Sequence, residues 1–244
     1  EDTAILNADN SVTNEWSNGL RANVIKFSVL KELDKGVFLR GRELLSSLNG
    51  REVILTTRDE IFLRGLHNVE NVLAAFAAAI TCGVDIATIR KAVADFKGVE
   101  HRIEFVEEID GIRFYNDSKA TSVDAAAKAL SALSEEAGKT ILILGGRGKN
   151  APYAPLIPLI RQCVRRVIVL GEDADNIESQ LAGETEIHRV ASLEEAVSAG
   201  FAAAEANDSV LLAPACASFD MFKSFEERGR IFKQAVRGLK DGRR

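Results

Sequence analysis

No stretch of this 244-residue chain approaches the roughly 18 consecutive apolar residues of a membrane-spanning helix. Nor does it open with a basic stretch followed by an apolar one, so no secretory signal is expected there. Cysteine is scarce: Cys82, Cys163 and Cys216 are odd in number and lack the paired spacing of metal ligands. Cys82 and Cys163 sit in apolar surroundings and read as buried thiols of a reducing compartment. A basic excess is missing too. The 31 Lys and Arg are outnumbered by 36 Asp and Glu, for a formal net charge of -5, which gives no electrostatic reason for a nucleic acid partner. A GK[ST] phosphate loop is also absent. The nearest segment is Gly145-Gly146-Arg147-Gly148-Lys149-Asn150. There Ile143 stands where the motif needs its first glycine, and Asn150 replaces the magnesium-binding Ser or Thr.

What is present is an ordinary globular composition, 46% hydrophobic and 27% charged, with length for one large α/β domain or two small ones. The first third reads as short strands, AILN, NVIKFSVL, GVFLRG and EVILT, separated by Asn, Gly, Asp and Lys. At His67 the apolar period changes. Val69, Val72, Leu73, Phe76, Ala77 and Ile80 recur at helical steps, and Gly83 ends the helix. A second helix spans 86–96, with Ile86, Ile89, Val93 and Phe96 on one side. Lys97-Gly98-Val99-Glu100 then breaks the pattern and marks a domain boundary, dividing the chain into 1–97 and 98–244.

Beyond it, a hairpin turned at Asp110-Gly111 leads into strand–helix alternation. Helices are expected over 122–133, 153–163, 173–181, 192–206 and from about Asp220, with strands over 140–144, 166–170, 186–189 and 209–212. The fold class is α/β, a Rossmann-like domain with a mostly parallel sheet. Such sheets bind ligands at the carboxyl ends of their strands, which directs attention to the loops after Asn116, Leu144 and Leu212.

Each loop supports two readings. The glycines after Leu144 can expose N–H groups to an anion, with Lys149 adding charge, or merely connect strand to helix. In NDSKATS, a helix cap explains Ser122 or Thr121. Capping does not explain Asp117, able to accept from ribose hydroxyls, together with Lys119, able to neutralise a phosphate or carboxylate. Ser218 reads equally as the cap of the last helix or as a ligand contact at a helix N-terminus that favours an anion. Phe222, Phe225, Gly229, Phe232, Val236 and Leu239 form a core stripe on that helix. Asn68 reads as a helix cap, while Asn68 and Asn71 together can also address a purine edge. His67, His101 and His188 are poor catalytic candidates.

GLHNVENVLAA, GVEHRIEF, YNDSKATS, LGGRGKN and LLAPACASFDMFKSFEERG occur in this chain in the order found in the muramyl (Mur) ligases. Over residues 7–237 the chain resembles that family, and in its NDSKAT and APACAS blocks it resembles the D-glutamate-adding branch. The resemblance implies three domains in the whole enzyme. Residues 1–97 would close the central ATP-binding domain, and 98–244 would form the last, amino-acid-binding one. It implies ATP-dependent addition of D-glutamate to UDP-N-acetylmuramoyl-L-alanine through an acyl phosphate, in peptidoglycan synthesis, by a monomeric cytoplasmic enzyme using ATP and Mg2+. By position, Thr121, Lys149, Ser218 and Phe225 would hold D-glutamate, and Asn68, Asn71, Arg102, Asp117 and Lys119 would face ATP. The magnesium ligands and a carbamylated lysine of the family belong upstream of Glu1, so no catalytic residue and no metal ligand is assigned. The chain reads as a C-terminal fragment, inactive alone, whose last domain moves as a body about Gly98. Ser122 stands where the family often has Asn, and Arg147 where some members have an acidic residue. The alternatives are another ligase of the superfamily, such as a folylpolyglutamate synthase, and a free-standing Rossmann-like binding module.

Overall fold

A computed structural model of the protein describes residues 2–134 and 137–241. The chain divides after Gly98 into two compact units, Glu1–Gly98 and Val99–Arg244.

The first unit runs β1 (Thr3–Asn7), α1 (Ser11–Trp16), β2 (Asn23–Ser28), β3 (Gly36–Arg40), β4 (Glu43–Ser46), β5 (Val53–Thr57), α2 (Leu66–Thr81) and α3 (Ile86–Asp95). Its five strands pair in sequence order. β1, β2 and β3 are parallel, and β4 and β5 join antiparallel. The helical stripe of α2, Val69, Val72, Leu73, Phe76 and Ala77, is buried with Ile25, Val37, Leu44 and Leu55 of the strands. Burying each such Leu, Val or Phe contributes roughly 1.5–3 kcal/mol.

Several expectations need correction here. α1 has no buried residue and so leaves no apolar period to read. β4, ELLS, is only four residues long. Cys82 is exposed, because it falls at the C-cap where α2 stops. Phe96 is 46% exposed, one residue past the end of α3, so Ile89 alone of that side is fully buried. The N-cap of α2 is Gly65 rather than Asn68, and its φ of 84° suits glycine.

The second unit runs β6 (Glu104–Ile109), β7 (Ile112–Asn116), α4 (Val123–Leu133), β8 (Thr140–Gly145), α5 (Ile157–Cys163), β9 (Val164–Leu170), α6 (Ala174–Leu181), β10 (Glu186–Arg189), α7 (Leu193–Ala203), β11 (Ser209–Leu212) and α8 (Phe225–Asp241). The sheet order is β10-β9-β8-β11-β7-β6. Every neighbouring pair is parallel except the β6–β7 hairpin, whose turn holds Asp110 and Gly111 at φ 51° and 78°.

Strand alternation splits the core in two. Leu142, Leu144, Val167, Val169 and Leu211 pack with Ala126 and Leu130 of α4, Ile160 of α5 and Ile177 of α6. Ile141, Ile143, Ile168, Leu170, Val210 and Leu212 pack with Ala196 and Val197 of α7 and Phe232 and Val236 of α8. Both faces of the sheet are therefore covered, which is why its strands read as unbroken apolar runs. β11 sends its chain to α8 on one face, while its neighbours β7 and β8 send theirs to helices on the other. Connections diverging in this way open a crevice at the strands' carboxyl ends.

The last helix starts at Phe225, not near Asp220. Met221 and Phe222 instead donate their N–H groups to Ser218 O, at 3.3 and 2.9 Å, in a separate turn. Ser218 is therefore not the cap of that helix. Ser122 does cap α4, accepting from the Ala125 amide at 3.3 Å.

Candidate functional site

Four loops meet at the carboxyl ends of β7, β8, β9 and β11, joined by main-chain hydrogen bonds. Asp117 N donates to Leu212 O (2.8 Å) and Ala215 N to Ala120 O (2.9 Å). Gly145 N donates to Pro214 O (2.9 Å), while Arg147 and Ala217 exchange a reciprocal pair (2.9 and 3.0 Å). Gly146 N reaches Leu170 O (3.2 Å), and Asp173 N reaches Gly146 O (3.0 Å).

These bonds decide between the two readings of the glycine-rich loop. The N–H groups of Gly145, Gly146 and Arg147 all donate to backbone carbonyls, so they form no cradle for an anion. Glycine is needed there for packing. A Cβ at Gly145 would lie 1.8 Å from Leu170 O, and one at Gly146 would lie 2.3 Å from Ala217 O. The loop is a tight connector that carries Lys149 at its far end.

Around the crevice, three polar groups have no hydrogen-bond or ion-pair partner among the described residues. Lys149 Nζ is exposed beyond β8, Thr121 Oγ1 is half-buried beyond β7, and Ser218 Oγ belongs to a residue only 2% exposed beyond β11. The bonds Ala215–Ala120 and Arg147–Ala217 draw their loops to one another. Phe225 opens α8, and its ring lies 3.9 Å beneath Lys119 Nζ and edge-on to His101 at 6.0 Å.

Asp117 is 8% exposed, and burial pushes its carboxyl up to about 6 against the opposing effect of the Ile103 amide and Arg102. Arg102 itself is exposed. Asn68 and Asn71 belong to the first unit. Asn68 donates to Arg64 O (2.7 Å) and accepts from Asn71 (3.2 Å), so the two amides are partly engaged with the protein.

The frame under this site consists of residues that sequence reasoning passed over. Asn116, fully buried, bonds His101 Nδ1 (2.9 Å) and Glu104 (2.9 Å) through its Nδ2, and accepts the Ser118 amide (3.1 Å). His101 is 3% exposed, and burial lowers its basicity. Tyr153, 2% exposed, donates to Asp173 (2.6 Å) and lies 3.0 Å from Cys216 Sγ, whose thiol burial pushes up to about 11. Arg228, 2% exposed, donates to Ser118 and to the Cys216 carbonyl. A signal for Arg228 did exist, since it shares the apolar stripe of Phe225, Gly229 and Phe232.

Residues 101–216 match the family model described as the Mur ligase, glutamate ligase domain. The chain is 47% identical over 238 residues to the UDP-N-acetylmuramoylalanine–D-glutamate ligase of Solibacter usitatus, covering 98% of this chain and 52% of that protein. The chain belongs to the Mur ligase family. It is also 42% identical over 243 residues to the ligase of the same name from Pelotomaculum thermopropionicum, covering 99% of this chain and 53% of the relative. It thus spans about half the length of the curated relatives it matches. Among solved structures, the UDP-N-acetylmuramate-alanine ligase MurC of Thermotoga maritima aligns with a TM-score of 0.67 at 20% identity, over 96% of this chain and 51% of that one. Escherichia coli FolC, in complex with DHPP and ADP, aligns at 0.68 and 18% identity, over 100% and 54%. These two likenesses concern the fold alone. Among the described residues, no helix is long and apolar enough to cross a membrane.

Proposed function

We propose that this chain is the amino-acid-accepting part of a cytoplasmic, ATP-dependent ligase that joins D-glutamate to UDP-N-acetylmuramoyl-L-alanine in cell-wall synthesis. The observation that carries the reading is the trio of unpartnered groups, Thr121 Oγ1, Lys149 Nζ and Ser218 Oγ, on three adjoining loops of a chain 47% identical to a D-glutamate ligase. A dicarboxylate needs charge-assisted donors at each end. Lys149 neutralises one carboxylate, the two hydroxyls donate, and Phe225 walls the site. D-Glutamate held in this way presents its amine to an acyl phosphate of the acceptor peptide, and phosphate leaves as the amide forms. Proximity and fixed charge supply the rate enhancement.

Asp117, Lys119 and Arg102 of the second unit are assigned to ATP. Lys119 counters phosphate charge and Asp117 accepts from ribose hydroxyls. The described residues do not fit Mg2+. Their one group of His and acidic side chains close enough to share a cation is Glu100, His101 and Glu104. Both of its carboxylates are taken by Lys233, at 2.5 and 2.9 Å. No step is therefore assigned to a metal on this chain.

The test joins this chain to the part of the Solibacter usitatus ligase that it does not match, and measures phosphate release with D-glutamate, L-glutamate and other amino acids. D-Glutamate should be preferred, and Lys149→Ala should raise its KM at least tenfold with little effect on the KM for ATP. Turnover with a different amino acid instead would assign the chain to another ligase of the superfamily. Absence of turnover with every amino acid, in a folded chimera, would favour a binding module.

A further inference from the structure

Arg228 is a buried cation with no carboxylate bonded to it, although the charge of Asp220 still acts on it from farther off. At 2% exposure it has no carboxylate within ion-pair distance among the described residues. All its acceptors are neutral. Nε donates to Ser118 Oγ (3.0 Å) and Nη2 to Ser118 O (2.8 Å). Nη1 and Nη2 share the Cys216 carbonyl at 3.2 Å each. Ser118 Oγ passes the chain on by donating to Phe225 O at 2.8 Å.

Burying a guanidinium unpaired is costly, and here burial draws its pKa down to about 10. Structural needs alone do not call for a charge at this point, since its partners are two carbonyls and a hydroxyl. What an arginine provides is a rigid planar fork with five N–H donors that can hold several acceptors at once. Its acceptors lie on two different loops. Ser118 sits between Asp117 and Lys119, and Cys216 lies two residues before Ser218.

We propose that Arg228 is a positioning residue for the ligation. Its fork locks the loop bearing Asp117 and Lys119 to the loop bearing Ser218, so that the nucleotide-facing and amino-acid-facing groups keep one fixed spacing. The proposal rests on the functional reading above. It also gives the unpaired charge a use, because the long-range field of Arg228 adds to that of Lys119 and Lys149 at a site for anions. Ser118 is the second member of the bracket. The Ala215–Ala120 backbone bond, 2.9 Å, is the place where loosening first registers.

The test combines kinetics of the chimera with amide hydrogen exchange in the 244-residue chain. Arg228→Lys keeps the charge and loses the fork. It should lower kcat at least tenfold while the KM values for ATP and D-glutamate change less than threefold, and it should raise exchange at the Ala215 amide without affecting Leu142 or Val167. Ser118→Ala, which keeps the arginine, should give the same pattern at a smaller magnitude, and it carries the test if Arg228→Lys does not fold. Unchanged kcat with unchanged Ala215 exchange in a folded variant overturns the bracket. So does a fall in kcat that accompanies faster exchange throughout β8 and β9, which would leave Arg228 a role in folding alone. A parent chimera that fails to turn over D-glutamate counts against the functional reading only, and the exchange result still decides the bracket.

Discussion

Replacing Gly229 by alanine sets two known effects against each other. Gly229 lies inside α8, where glycine to alanine should gain about 1 kcal/mol of helix propensity. The added Cβ, however, would lie 2.2 Å from His101 Nδ1, 2.7 Å from its Cε1 and 3.1 Å from Asn116 Nδ2. None of these is the free end of a flexible chain. The imidazole is 3% exposed, bonded to Asn116 and edge-on to Phe225. The ring must shift by more than an ångström, which strains a packed core by about 1–3 kcal/mol and breaks a buried hydrogen bond worth about 1 kcal/mol. The clash wins, and Gly229→Ala should destabilise the second unit by roughly 1–3 kcal/mol. At about 2–4 °C per kcal/mol, the melting transition followed by circular dichroism falls by several degrees. In a His101→Ala background the same alanine should cost much less, because only Asn116 Nδ2 at 3.1 Å still crowds the added Cβ. A Gly229→Ala protein that melts higher than the parent would refute the reasoning, since it would mean that α8 does not press against His101.

Two buried aspartates should respond to pH in opposite senses. For Asp117, burial raises the folded pKa to about 6 from 3.8. Its folded form keeps a proton that the unfolded chain gives up, so stability falls as pH rises from about 4 to 6 and is level above that. Urea unfolding of Asp117→Asn against the parent should show a difference growing by about 2–3 kcal/mol across that window, and parallel curves would discard the assignment. For Asp208, 1% exposed, burial raises the pKa, but Arg165 and the amides of Glu205 and Lys139 outweigh it and leave it lowered. Its contribution is present above the ordinary carboxylate range and lost in acid. Asp208→Asn should destabilise the second unit by about 2–3 kcal/mol at neutral pH, with the deficit vanishing at low pH, and a deficit independent of pH would contradict this.

The second unit was legible because a sheet covered on both faces writes itself as apolar runs such as TILIL and VRRVIVL, spaced by amphipathic helices. The hairpin was legible from Asp110-Gly111. What escaped was local or long-range. The last helix was expected five residues early, because the run from Phe222 continues its apolar stripe backwards. The better start signal was Ser224-Phe225-Glu226-Glu227, where Ser224 Oγ accepts the Glu227 amide at 3.3 Å. α1, with nothing buried, had no period to reveal it. For the site, Asp117, Lys119, Thr121, Lys149 and Ser218 could be named from polar residues at strand ends. Ser118, Asn116 and Tyr153 could not, because their partners lie far along the chain, and for Arg228 the stripe signals burial but not its partners. Arg228 and Ser118 are separated by 110 positions.

The position of β11 has a consequence for how the molecule is made. Because this strand, 209–212, is seated between β8 and β7, the hairpin of β6 and β7 has no place in the sheet until residue 212 has been synthesised. From the completion of β9 at Leu170 until β11 is made, a growing chain carries two unfinished half-sheets, each with an open hydrogen-bonding edge. Pairings this distant in sequence form slowly and leave the intermediate open to association with other chains. The strand that closes the sheet also delivers the Cys216–Ser218 loop, so the crevice takes shape in the same step that ends the period of greatest risk.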